Sequence, residues 1–122
     1  MEEVPLLLPA WLRTPLVIAA IVLSTIAHTT PLFLVALLKW LLPIPRWRRA
    51  CAVALVRLAE SWIGFNSWLI ATATPTRFRI SGLEALRRAG HYLVLGNHRS
   101  WVDIVALQHV FNRSVPFLRF FL

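Results

Sequence analysis

His98 and Asp103 pair a side chain that titrates near neutrality with a carboxylate five positions on, across Arg99, Ser100, Trp101 and Val102. An imidazole held by a carboxylate at one ring nitrogen has a fixed tautomer. Its other nitrogen can then take a proton from a substrate hydroxyl as a general base. Asn97 precedes the histidine, and Gly96 gives a flexible turn just before it. A second reading uses the same residues without catalysis. Ser100 stands where a helix N-cap belongs, Asp103 falls in the first turn behind it, and Ser-x-x-Asp makes a passable capping box with Asp in place of Glu. From spacing alone, both remain open.

Either reading needs a loop that runs into a helix, and the flanking residues supply one. His91-Tyr92-Leu93-Val94-Leu95 is an apolar run of strand length, and Trp101 to Phe111 follows a helical pattern. Since 91–95 is apolar on both alternating faces after its first residue, it reads as a strand covered on both sides, the habit of α/β sheets. Upstream, Arg77-Phe78-Arg79-Ile80 alternates polar with apolar and reads as a strand ending at Ser81-Gly82. Leu83 to Ala89 is expected to form a short helix, with Arg87 and Arg88 in its last turn and Gly90 as its cap. Asn112-Arg113-Ser114 reads as a turn, and 115–122 as the start of another strand.

The rest of the chain is of a different kind. Hydrophobic residues make up 58% of 122 positions, with a mean hydropathy of +0.67 and six tryptophans, which is too apolar for an ordinary soluble domain. Leu16 to Leu42 is almost wholly apolar, interrupted by Ser24-Thr25, by His28-Thr29-Thr30-Pro31 and by Lys39. Pro31 predicts a kink or break. The segment is then either one kinked helix crossing a bilayer or a re-entrant hairpin bent at 28–31. Glu2 and Glu3 stand where a secretory signal would be positive, so no removable leader is read. Arg46 to about Thr72 is a basic helix punctuated by Trp47, Trp62 and Trp68, suited to headgroup depth. The expected organisation is a membrane-embedded helical segment at 1–45 with a bend near 28–31, an interfacial helix at 46–74 and a globular start at 75–122. Cys51 is the lone cysteine, which excludes an intrachain disulfide or a thiolate cluster. The net charge of +8 accompanies lipid-like segments, so it points to anionic lipid rather than nucleic acid. The scattered histidines offer no metal site.

Asn97-His98-Arg99-Ser100-Trp101-Val102-Asp103 resembles the NHxSxxD form of the HxxxxD motif of glycerolipid acyltransferases, and in particular the 1-acylglycerol-3-phosphate (lysophosphatidic acid) acyltransferase type. The hydrophobic leader, the Ser-Gly-Leu-Glu at 81–84 and the apolar run into the motif resemble the family too. The resemblance implies transfer of a fatty acyl group from acyl-CoA or acyl carrier protein to the free hydroxyl of lysophosphatidic acid, with no cofactor beyond the acyl donor. By carry-over of the motif, His98 is the general base and Asp103 orients it. Asn97 and Ser100 hold the loop, and Arg99 meets phosphate or solvent. The implied fold is α/β: a membrane-embedded helical pair and an interfacial helix, then the first strands and helices of a truncated acyltransferase domain. The family's arms favour the re-entrant hairpin over a full span, and imply a membrane location with the site facing the cytoplasm, at the inner membrane if bacterial.

The FPEGTR-type block that grips the acceptor phosphate in such enzymes does not occur in these 122 residues. The chain therefore reads as an N-terminal fragment that is inactive alone. The alternative is a non-catalytic, small basic membrane-associated protein that binds anionic lipid or a membrane partner.

Overall fold

A computed structural model describes residues 8–97 and 99–119. Three helices form among them: α1 (Ala10–Leu41), α2 (Pro45–Ala73) and α3 (Trp101–Phe111). The chain divides into two compact units, Met1–Arg77 and Phe78–Leu122.

In the first unit, α1 continues without interruption through Pro31. The helix is unbroken at 28–31, where the re-entrant hairpin would need its turn. The hydroxyls of Thr25, Thr29 and Thr30 donate to the carbonyls of Ile21 at 2.8 Å, Thr25 at 2.7 Å and Ile26 at 2.9 Å. These side chains fold back onto their own helix and so satisfy their hydrogen-bonding groups within the apolar segment. The chain reverses instead at Leu42–Ile44, where Pro43 and Pro45 stop one helix and start the next. Pro45 sits in the first turn of α2, where its missing N–H costs nothing.

The two helices run antiparallel, as three cross-links at successive heights show. The Trp47 indole N–H donates to the Leu38 carbonyl at 3.1 Å, the Trp62 indole N–H to Thr25 Oγ1 at 3.2 Å, and Ser61 Oγ lies 3.4 Å from His28 Nε2. His28 Nδ1 lies 2.8 Å from the Ser24 carbonyl, which can only accept, so Nδ1 carries the proton. Nε2 is then the acceptor for the Ser61 hydroxyl. His28 thus helps to tie the two helices together. Ser24, Cys51, Glu60 and Ile63 are buried in this unit, while the outer wall of α1 exposes Leu16, Ile18, Val22, Leu23, Ile26, Phe33 and Leu34. At ~1.5 Å per residue α1 is about 48 Å long, and it is apolar enough to cross a membrane.

The second unit corrects the α/β expectation. Among the described residues there is no strand and no sheet. The segments 77–80, 91–95 and 115–119 do not ladder with one another, and a strand exists only as a member of a hydrogen-bonded pair. Leu93 and Leu95 are accordingly 79% and 85% exposed, where a strand covered on both faces was expected. The short helix expected over 83–89 is also absent. Two successive turns replace it, closed by Leu86 N–H to the Leu83 carbonyl at 3.0 Å and Gly90 N–H to the Arg87 carbonyl at 2.9 Å. Seven residues between glycines scarcely repay helix nucleation, and Gly82 adopts φ 80°, outside helical geometry. The Tyr92 hydroxyl accepts the Arg87 N–H at 2.7 Å and braces the second turn. The final residues, 120–122, lie outside the described part of the expected last strand.

Candidate active-site loop

α3 begins where the sequence places its cap. Ser100 is the N-cap, with extended backbone angles of φ −159° and ψ 165°, and Asp103 is the third helical residue. Asp103 Oδ2 accepts the backbone N–H of Arg99 at 2.5 Å and that of Ser100 at 2.8 Å. The Asp103 N–H reaches the Ser100 carbonyl at 3.1 Å. The carboxylate therefore serves N–H groups at a helix N-terminus, where negative charge also opposes the positive end of the helix dipole.

Both of these bonds fall on the same oxygen, Oδ2. The carboxylate thus fixes the backbone of Arg99 and Ser100 at the start of α3.

Arg99, Ser100 and Asp103 are brought within hydrogen-bonding distance of one another. Asn97 lies in the same exposed loop, and His98 lies outside the described residues. The sequence leaves Arg99 a side-chain role with phosphate or solvent. Its side chain is exposed, and what binds Asp103 is its backbone N–H, which no residue-type pattern could reveal. The far end of α3 holds a further contact that sequence did not signal. His109 stacks on Phe78 with ring centroids 4.3 Å apart and planes at 27°, and its Nδ1 is buried without a hydrogen-bond partner. Among the described residues no group of three His, Cys, Asp or Glu is placed to hold a metal ion.

The second unit thus carries an exposed loop closed by a helix-capping carboxylate, downstream of an apolar run. The stretch 77–121, which contains all of it, matches the family model described as Acyltransferase, a match consistent with the glycerolipid acyltransferases. No curated protein and no solved structure matches the chain.

Proposed function

We propose that this protein takes part in acyl transfer from a thioester, acyl-CoA or acyl carrier protein, to the free hydroxyl of lysophosphatidic acid at a membrane surface. The observation that supports this most is the Asn97-to-Asp103 motif set on the N-terminus of α3, inside the stretch that matches the acyltransferase model. In this reading His98 removes the acceptor's hydroxyl proton as that oxygen attacks the thioester carbonyl. The carbon–sulfur bond breaks, and the proton passes to the departing thiolate. Asp103 acts through His98 by fixing its tautomer and stabilising the imidazolium. Ser100 is committed to the helix cap, so it is a loop residue and not a nucleophile, and Asn97 supports the same loop. No covalent enzyme intermediate is required.

The membrane is the natural place for such an acceptor, and α1 is the feature that supports it. We place the reaction at the cytoplasmic face, where thioester donors are found. The acceptor phosphate needs a clamp, and no FPEGTR-type block occurs in these residues. These 122 residues alone are therefore expected not to turn over. The test is an acyl-transfer assay with labelled acyl-CoA and lysophosphatidic acid, run on membranes carrying the product of the complete reading frame. Formation of phosphatidic acid supports the reading. Its absence with both donors favours a non-catalytic membrane protein.

A further inference from the structure

The reversal at Leu42–Ile44 gathers charge that is dispersed along the sequence. Lys39 and Trp40 close α1, while Arg46, Trp47, Arg48 and Arg49 open α2, so the turn brings four cations and two indoles to one end of the hairpin. No acidic residue occurs between Glu3 and Glu60 to neutralise them. The three arginines are exposed, and Trp40 is 78% exposed. The Trp47 indole is pinned across the turn by its bond to the Leu38 carbonyl, which also accepts the Leu42 N–H at 3.3 Å. Arg46, Arg48 and Arg49 lie at the positive end of the α2 dipole, which repels them, an arrangement that external anions relieve. Directly behind the charged end, α1 exposes Phe33, Leu34, Leu37 and Leu38. A surface that passes from arginine and indole to bare aliphatic wall within two helical turns matches the profile of a bilayer, from headgroup to hydrocarbon. An acidic protein would complement the charge but not the wall.

We propose that the closed end of the α1–α2 hairpin is a docking surface for the anionic phospholipid headgroups of a bilayer. Arg46, Arg48 and Arg49 contact phosphate, and Trp40 and Trp47 lie at the headgroup boundary. Clusters of four or more basic residues beside an apolar helix favour anionic lipid. This surface is remote in sequence from the Asn97–Asp103 loop and holds whatever reaction that loop performs.

The test uses the whole chain reconstituted in phosphatidylcholine bilayers. Spin-labelled phosphatidylglycerol and spin-labelled phosphatidylcholine are compared for the fraction of lipid immobilised at the protein. The wild type is expected to hold phosphatidylglycerol severalfold over phosphatidylcholine. Arg46→Gln/Arg48→Gln/Arg49→Gln should bring that ratio close to one, while Arg77→Gln/Arg79→Gln/Arg87→Gln should leave it near the wild-type value. Circular dichroism checks that the helices persist. Should the triple tip variant fail to fold, the salt dependence of the wild type decides, since ~1 M salt shortens the screening length to about 3 Å and should abolish the preference. Equal retention of both lipids by the wild type, a preference untouched by the tip variant, or one that survives high salt overturns the proposal.

Discussion

Asp103 Oδ2 accepts the backbone N–H of Arg99 at 2.5 Å, which folds the residues that follow position 98 back onto a single carboxylate. The same oxygen holds the Ser100 N–H at 2.8 Å. One side chain thus joins the structure of the helix start to the chemistry proposed for the loop, and substitutions can separate the two.

Asp103→Asn keeps an oxygen acceptor for those N–H groups but loses the negative charge. Helix content, read by circular dichroism, should change little. Acyl transfer should fall by about a hundredfold or more, the usual size of a lost acid–base contribution. Equal losses of structure and turnover would show that Asp103 is only a cap.

Ser100→Ala removes the N-cap hydroxyl, whereas Ser100→Gly keeps a tolerated cap backbone. The alanine variant should lose about 1 kcal/mol of stability in denaturant unfolding and the glycine variant only a few tenths. Neither should remove turnover if Ser100 is no nucleophile. Complete inactivation of both, with stability retained, would reassign the residue.

Thr25 and Trp62 meet across the hairpin at 3.2 Å. Thr25→Val and Trp62→Phe should each destabilise the pair, and a double-mutant cycle in detergent should give a coupling of about 0.6 to 1.7 kcal/mol. A coupling of zero would mean that the contact contributes nothing.

The reversal at 42–44 makes a prediction about proximity. In a Cys51→Ser background, Thr25→Cys with Trp62→Cys should be joined by a short bifunctional thiol reagent. A chain bent at 28–31 would instead bring positions 22 and 37 together, so a crosslink confined to Val22→Cys/Leu37→Cys would restore the bend.

What could be read from the sequence was local. The bounds of α3 follow from the Trp101 to Phe111 pattern and from a cap three residues before Asp103, all within one turn of the chain. Pro43 and Pro45 likewise mark a helix stop and a helix start. The pairing of α1 with α2 was not legible, because His28, Ser61, Thr25 and Trp62 are polar interruptions in separate segments and only the reversal brings them together. Pro31 by itself did not decide between a kinked helix and a hairpin turn, and α1 runs through it unbroken. The strand expected at 91–95 failed because a strand is a relation between segments, and the described residues contain no partner for Leu93 and Leu95. The backbone bond from Arg99 to Asp103 belongs to the same class of facts, since residue type does not encode it.

The central claim is that His98 is the base of an acyl transfer, and one comparison tests it most directly. Membranes carrying the product of the complete reading frame, wild type or His98→Ala, are assayed for phosphatidic acid formed from acyl-CoA and lysophosphatidic acid, with membrane-bound protein quantified in parallel. Turnover should be abolished by His98→Ala while the amount of protein in the membrane is unchanged. Undiminished turnover in that variant would contradict the account.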